Sequence, residues 1–124
     1  MLKTSIRNGE LLKELAMLGL GDAVAIVGCR FALPEETQVI DLAITDNLPS
    51  VEDIFGLLAD NVIFSEITLP HEMDEVLRAR VIKKAGSVRE NELTYRQLQV
   101  VCKNAKLIVR TGDMSESGVV VLRV

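Results

Sequence analysis

Residues near the C-terminus, Arg110 to Asp113, form the sequence R-T-G-D and are the clearest candidates for chemistry. A strand that ends in Arg and is followed by Gly and a carboxylate places opposite charges beside an exposed backbone turn. Hydroxyl-rich ligands need hydrogen-bond donors and acceptors together, so this turn suits such a ligand. An ordinary turn in which Arg110 and Asp113 solvate each other accounts for the same residues.

The sequence Gly19-Leu20-Gly21-Asp22 is a second candidate, because two glycines beside a carboxylate permit unusual backbone angles. We expect Gly19 to take a positive φ, since it follows a predicted helix. A phosphate-binding loop needs a strand before its glycines and a helix after them, and the order here is the reverse. Asp22 is therefore either a ligand-binding carboxylate or one that orients the loop.

The single histidine, His71, and the two cysteines, Cys29 and Cys102, show no pattern of a metal or catalytic site. A lone histidine after a proline has no partner that identifies a triad, and we expect it at the surface. The cysteines are far apart in the sequence, so we predict neither a disulfide nor a zinc site and expect two buried apolar side chains. We predict no metal and no other cofactor.

Helical and strand-like segments alternate along the chain and must position these residues. The predicted helices cover residues 9–18, 51–61, 71–86 and 95–105, and the predicted strands cover 23–28, 38–44, 62–69, 106–110 and 118–124. The polar stretch 87–92 is predicted as a loop, and Asn8, Ser50 with Asp53, and Thr94 are the expected helix caps. The alternation predicts an α/β fold, a three-layer α/β/α sandwich with a mixed, mostly parallel sheet of about six strands.

Length and charge limit the classes of function. The 124 residues are predicted to form one domain, 1–124. Fourteen basic against eighteen acidic residues give a net charge of -4, and no run of Lys or Arg forms a basic face, so nucleic acid is not an expected partner. The N-terminal residues carry charges throughout and contain no long apolar stretch, so we expect a cytoplasmic protein without a membrane partner.

Ligands of open α/β sheets bind beyond the carboxyl ends of the strands. This rule points to three loops, which are Gly28 to Phe31, Thr45 to Asn47 and Thr111 to Gly118. The third loop contains most of the R-T-G-D turn, which is the tightest cluster of candidate residues in these loops.

The order of motifs along nearly the whole chain resembles that of the bacterial D-ribose pyranase and L-fucose mutarotase family. The matching features are a G-x-x-D loop after the first helix, a later proline, an I-D-L-A segment, a P-S helix start and the closing R-T-G-D turn, which are Gly19 to Asp22, Pro34, Ile40 to Ala43, Pro49 and Arg110 to Asp113. The closing motif is fairly specific, and the shared order of the others adds weight to it.

The resemblance implies a function. Members of the family interconvert the anomers or ring forms of free monosaccharides without a metal or a nucleotide, and they form closed rings in which a neighbouring subunit completes each pocket. For this chain it implies a monosaccharide or similar polyol as ligand, no cofactor, and a homo-oligomer in the form of a ring. The reaction opens a hemiacetal, which requires taking a proton from the anomeric hydroxyl and delivering one to the ring oxygen. An imidazole suits both steps near neutral pH.

The chain departs from the family at the residues that carry this chemistry. Leu20 stands where the family has a histidine, Gly28 where it has an aspartate, and Tyr95 where it has a second histidine. The family sequence Y-x-N after the closing turn is replaced by Ser117 to Val119. The pattern is that of a retained scaffold with an altered pocket.

Three interpretations remain open. In the first, the chain is an isomerase of mutarotase or pyranase type whose catalytic groups are Asp22 and Asp113, because a neutral phenol is a poor base near pH 7. In the second, it binds a sugar or another small metabolite as a homo-oligomer without turnover. In the third, it is a doubly wound domain for an unrelated metabolite. For the first two, the predicted ligand contacts are Gly28, Arg30, Tyr95, Arg110, Ser117 and Val119.

Overall fold

The apolar sequence AVAIV forms strand β1, Ala23–Val27, in which all five residues are buried. The other elements of the computed structural model, which describes all 124 residues, surround this strand. The helices are α1 Gly9–Ala16, α2 Val51–Asn61, α3 Glu75–Ala85 and α4 Tyr95–Val101, and a 3₁₀ turn, Cys102–Asn104, follows α4. The other strands are β2 Val39–Asp41, β3 Glu66–Pro70, β4 Arg89–Leu93, β5 Leu107–Arg110 and β6 Val119–Arg123.

The six strands form one sheet in the order β2-β5-β1-β6-β3-β4. Three neighbouring pairs are parallel, namely β1 with β5, β2 with β5, and β3 with β4. The last strand, β6, is antiparallel to both of its neighbours, β1 and β3. The predicted mixed, mostly parallel sheet is therefore confirmed.

Alternate residues of β1 point to opposite faces of the sheet, and each face carries its own core. Val24 and Ile26 belong to a cluster of 17 buried residues that includes side chains of α1, α2 and α3. Ala23, Ala25 and Val27 belong to a cluster of 10 buried residues on the other face, where α4 packs. Helices on both faces make the three layers that the sequence predicted.

Side-chain caps begin three helices where the sequence predicted them. The Asn8 side chain accepts a hydrogen bond of 2.9 Å from a backbone N–H in the first turn of α1. Ser50 and Asp53 form a reciprocal capping box at the start of α2, and Thr94 forms one with Gln97 at the start of α4. These contacts satisfy N–H groups that have no partner within the helix.

The polar stretch 87–92, predicted as a loop, contributes most of β4 instead. The prediction was wrong because β4 is an edge strand that pairs only with β3, so most of its side chains face solvent. A strand in this position needs no continuous apolar face, and its sequence therefore looks like that of a loop. Its charged side chains also hinder pairing with the edges of other sheets.

Several predicted boundaries are also wrong. Helix α3 begins at Glu75 rather than near residue 71, because the Asp74 side chain caps it. Strand β3 begins at Glu66 rather than at residue 62, because Val62 still serves as the C-cap of α2. Strand β2 covers only three residues, and α4 gives way to the 3₁₀ turn before residue 105.

The loop after α1 also differs from the prediction. Helix α1 ends at Ala16, and the positive φ occurs at Gly21, where it is 90°, rather than at Gly19. The Gly19 N–H donates to the Asp22 carboxylate over 2.7 Å, and this bond closes the loop between α1 and β1. Asp22 therefore orients this loop, as one of the two predicted roles requires.

Burial predicts a large difference between two isoleucines near β3. Ile67 is fully buried and Ile63 is 93% exposed. Ile67→Ala should lower the free energy of unfolding by about 2–5 kcal/mol, because it removes apolar contacts and leaves a cavity. Ile63→Ala should change it by less than about 0.5 kcal/mol. Urea unfolding at a single protein concentration measures both, and equal losses would contradict the placement of Ile67 in the core.

Candidate functional site

The loops after β1 and β5 lie side by side at the carboxyl ends of these strands, because the two strands are parallel neighbours. The Gly28 N–H donates to the Gly118 carbonyl oxygen over 2.8 Å, and the Cys29 N–H donates to that of Asp113 over 3.0 Å. The loop after β2 joins them through the Gly112 N–H, which donates to the Pro49 carbonyl oxygen over 2.9 Å. We call this region, residues 28–31, 42–50 and 111–118, the carboxyl edge. It contains all three loops that the sequence selected.

Two glycines allow these loops to pack closely. A Cβ atom at Gly28 would lie 2.7 Å from the Asp113 carbonyl oxygen, and one at Gly112 would lie 2.2 Å from the Thr45 carbonyl oxygen. Both distances are shorter than a Cβ contact allows, so a side chain at either position requires the backbone to move. The aspartate that the family resemblance leads one to expect at position 28 therefore does not fit this loop arrangement.

Asp113 is buried, with 8% exposure, and accepts three hydrogen bonds. One carboxylate oxygen accepts from the Val51 N–H at the start of α2 over 2.9 Å. The other accepts from the Ser115 N–H over 2.9 Å and from the Ser115 hydroxyl over 2.6 Å. Burial raises the pKa of this carboxyl, but the hydrogen bonds from Ser115 and Val51 outweigh burial and hold the pKa below its usual value. Asp113 is thus an ionised, internally bonded carboxylate.

Arg110 pairs with Asp41 and not with Asp113. Its Nη1 lies 3.0 Å from both carboxylate oxygens of Asp41, and its Nη2 lies 3.5 Å from the Cys29 carbonyl oxygen. The prediction that Arg110 and Asp113 solvate each other was wrong, because the neighbouring parallel strand brings Asp41 opposite Arg110 in the sheet register. The pair sets a guanidinium and a carboxylate together at the end of two strands.

A cavity of about 300 Å³ opens beside this ion pair. Its lining comes from the loops after β1, β2 and β5, and consists of Cys29, Ala43, Ile44, Thr45, Asp46, Arg110 and Gly112. We call it the carboxyl-edge cavity. It offers charged side chains of both signs, a hydroxyl and backbone groups within one space.

The two cysteines differ from each other. Cys102 is fully buried as predicted, and burial raises the pKa of its thiol to about 12, so it stays neutral. Cys29 is only half-buried, contrary to the prediction, because it follows β1 at the carboxyl edge. Its Sγ lies 3.3 Å from the Asp113 carbonyl oxygen and 3.2 Å from the Met114 sulfur.

Glu72, which sequence reasoning missed, brings two predicted contact residues together. Its carboxylate accepts from the Tyr95 N–H over 2.9 Å, and its carbonyl oxygen accepts from the Ser117 hydroxyl over 3.2 Å. The Tyr95 ring lies 6.0 Å from that of Phe31. Burial, with a smaller effect of Cys102, raises the pKa of Tyr95, so its phenol is a neutral donor near pH 7 and not a base.

Arg110 is the one predicted ligand contact that lines the carboxyl-edge cavity; the other five, Gly28, Arg30, Tyr95, Ser117 and Val119, do not. Arg30 is exposed, and its guanidinium is 3.8 Å from Glu116, a surface pair that contributes little. Val119 is fully buried in the core on the α4 side of the sheet.

Leu20 and Asp22 lie at the opposite edge of the sheet, because they precede β1 while Gly28 follows it. A strand rises about 3.3 Å per residue, which separates Asp22 from Gly28 by about 20 Å. Leu20 is 97% exposed. Within one chain, therefore, the predicted catalytic residues Asp22 and Asp113 do not share a pocket.

His71 follows β3 and is exposed, as the sequence predicted. Its Nδ1 is hydrogen-bonded to the Glu92 carboxylate, and Arg78 also contacts Glu92 over 3.5 Å. The hydrogen bond and the charge of Glu92 raise the pKa of His71. This pairing was not predicted, because the segment that holds Glu92 was predicted as a loop. The imidazole points to the outer strand β4 and does not line the carboxyl-edge cavity.

No group of three or more His, Cys, Asp or Glu side chains is placed to hold a metal ion. None of the helices combines the length and the apolar character that crossing a membrane requires.

A model of the RbsD / FucU transport protein family matches residues 1–124. The chain belongs to this family. Among curated relatives, the D-ribose pyranase of Bacillus pumilus is 31% identical over 115 residues, which cover 91% of this chain and 88% of the relative. The D-ribose pyranase of Staphylococcus haemolyticus is 29% identical over 125 residues, which cover 99% of this chain and 96% of the relative.

Solved structures of the RbsD / FucU family share the fold. Bacillus subtilis RbsD complexed with D-ribose has a TM-score of 0.89 at 25% identity, covering 99% of this chain and 96% of that chain. The fucose mutarotase of Streptococcus pneumoniae, in complex with L-fucose, has a TM-score of 0.71 at 18% identity, covering 94% and 91%. The family resemblance stated from the motifs is confirmed, and the interpretation as an unrelated doubly wound domain is wrong.

We predict that Asp113→Asn destabilises the protein near neutral pH by about 1–3 kcal/mol, because the amide nitrogen cannot accept and leaves a buried donor without a partner. The pKa of Asp113 is lowered in the folded state, so the carboxylate stabilises the fold above its unfolded-state pKa of about 3.9. That contribution disappears as the pH falls through the folded-state pKa. Urea unfolding at several pH values should show the difference between wild type and variant shrinking in acid. A difference that stays constant down to about pH 2 would contradict this role of Asp113.

Proposed function

We propose that this chain is a monosaccharide-binding protein of the pyranase and mutarotase type, with the sugar bound at the carboxyl edge. Two kinds of relative support the ligand class: D-ribose pyranases match the chain over nearly its full length, and a similar solved structure is a complex with D-ribose. The observation that carries the proposal is the Arg110–Asp41 ion pair beside the carboxyl-edge cavity.

The cavity lining suits a sugar because a hydroxyl both donates and accepts. The Arg110 guanidinium donates to a hydroxyl oxygen, and the carboxylate of Asp46, which also lines the cavity, accepts the proton of a neighbouring hydroxyl. The ion pair with Asp41 holds the guanidinium in place before a ligand arrives, which reduces the ordering that binding requires. The cavity volume of about 300 Å³ lies at the small end of the range for small-molecule sites.

Ring opening requires a group that exchanges protons with the sugar near neutral pH. The carboxylate of Asp113 is fully engaged by Val51 and Ser115, and the phenol of Tyr95 is neutral. The side chain of Leu20, where the resemblance led us to expect a histidine, has no acidic or basic group that could exchange a proton. We therefore propose that the chain binds its sugar with slow or no interconversion. Of the two predicted catalytic carboxylates, only Asp22 keeps one oxygen available, because its other oxygen accepts from the Gly19 N–H.

We further propose that the protein is a homo-oligomeric ring in which the Gly19 to Asp22 loop of one subunit approaches the carboxyl edge of the next. The loop and the cavity lie at opposite edges of the sheet in one chain, so only a second subunit can bring them together. Exposed apolar side chains near this loop support a contact between subunits, since Met17 is 65%, Leu20 97% and Ile63 93% exposed.

The binding proposal predicts the effect of Arg110→Gln. The change removes a charged donor to the sugar and leaves Asp41 unpaired, so the dissociation constant for the bound monosaccharide should rise at least about tenfold. Calorimetric titration with D-ribose, L-fucose and a panel of other free monosaccharides identifies the ligand and measures the change. Arg89→Gln is the matched control, because Arg89 is exposed on the edge strand β4 and forms no ion pair. An equal loss in both variants, or no binding of any sugar by folded wild type, would refute the proposal.

The proton-transfer proposal predicts a gain of activity in Leu20→His. General acid–base catalysis accelerates such steps about 10²–10⁴-fold, so restoring an imidazole should raise the rate of anomer or ring-form exchange by roughly the lower end of that range. NMR saturation transfer measures exchange on the sugar that binds. Leu20→Gln controls for a polar side chain without proton exchange, and light scattering confirms that all variants keep one oligomeric state. Fast exchange by wild type that Asp22→Asn abolishes would instead show that a carboxylate has replaced the imidazole.

A further inference from the structure

Within one chain, a second cavity lies at the opposite end of the sheet from the carboxyl edge. It has a volume of about 590 Å³ and opens where β1 and β5 begin and β6 ends. Its charged lining residues are Glu14, Asp22, Glu36, Lys103, Lys106 and Arg123. We call it the amino-edge cavity. It shares no residue with the carboxyl-edge cavity.

The three cations of this cavity have no carboxylate partner. The ion pairs of the chain involve Arg30, His71, Arg78, Arg80, Lys84 and Arg110 as cations, so none uses a cation of the amino-edge cavity. Arg123 makes one hydrogen bond, from Nη1 to the Gly21 carbonyl oxygen over 2.9 Å, which leaves its other N–H groups available. The ammonium groups of Lys103 and Lys106 have no protein acceptor.

The sheet places two of these cations on either side of one residue. Arg123 is opposite Ala23 in the antiparallel register, and the Lys106 N–H donates to the Ala23 carbonyl oxygen over 2.9 Å. Neighbouring strands are about 4.8 Å apart, so the two backbones are about 10 Å apart across β1. Because the side chains of Lys106 and Arg123 are long and line the same cavity, both can contact a single anion across this distance. Lys103 joins from the 3₁₀ turn just before β5.

We propose that the amino-edge cavity binds a small phosphate monoester with a hydroxyl-rich body, such as a sugar phosphate. Lysine and arginine bind the phosphate oxygens by charge-assisted hydrogen bonds. The carboxylates of Glu14 and Glu36, which form no ion pair, accept from hydroxyls of the ligand body. Equal numbers of cations and carboxylates disfavour a polyanion such as nucleic acid. The proposal does not rest on the proposed sugar site, because its phosphate-binding residues play no part there.

Calorimetric titration of the full chain at low ionic strength tests the proposal with three probes, which are ribose 5-phosphate, inorganic phosphate and D-ribose. Ribose 5-phosphate should bind more tightly than inorganic phosphate, and added salt should weaken it. The double variant Lys106→Gln with Arg123→Gln should weaken it at least about tenfold. The exposed, unpaired Lys3 and Lys83 provide a control of the same charge change, since Lys3→Gln with Lys83→Gln should leave the affinity unchanged.

The remaining outcomes separate this site from the carboxyl edge. Lys103→Gln alone should also reduce the affinity for ribose 5-phosphate. Because Lys103 lies on an exposed turn, this variant replaces the double variant if the latter does not fold. Arg110→Gln should leave that affinity unchanged, whether or not free D-ribose binds. The proposal is overturned if ribose 5-phosphate does not bind, if inorganic phosphate binds equally well, if the control variant loses as much, or if Arg110→Gln abolishes binding.

Discussion

The buried carboxylate of Asp113 holds the carboxyl edge together. Its side chain accepts from the start of α2 and from its own turn, and its carbonyl oxygen accepts from the Cys29 N–H after β1. Three segments that are distant in the sequence thus meet at one residue. Gly28 permits this meeting because a side chain there would collide with the same carbonyl group. The position of Arg110 beside the cavity depends on this arrangement.

The apolar and capping patterns predicted the architecture well, because burial and helix starts are local properties. The run Ala23–Val27 and the caps at Asn8, Ser50 and Thr94 needed no knowledge of distant residues. Strand β4 was missed because an edge strand is polar on most of its surface. Its pairing depends on β3, which no local pattern reveals.

The loops of the candidate site were predicted from local patterns, but the pairs of residues within it were not, because they depend on how distant segments meet. The rule on strand ends selected three loops that the structure brings together, and the R-T-G-D motif selected Arg110, which lines the cavity there. The partner of Arg110 was misassigned, because Asp41 and Arg110 are neighbours only through the register of β2 and β5. The role of Glu72 was missed because it depends on how the turn before α3 contacts the start of α4. The separation of Asp22 from Asp113 became clear only when both ends of β1 were placed.

The chain has the fold of its family, but it carries Leu20 where the resemblance led us to expect an imidazole, and a side chain at position 28 would collide with the Asp113 carbonyl group. Our central proposal is that a free sugar binds at the carboxyl edge. Amide chemical-shift mapping by NMR during titration with the monosaccharide that binds tests this claim directly. We predict shifts concentrated at Cys29, Thr45 and Gly112. Shifts confined to residues around Lys103 and Arg123, or none at the carboxyl edge at saturation, would contradict sugar binding at the carboxyl edge.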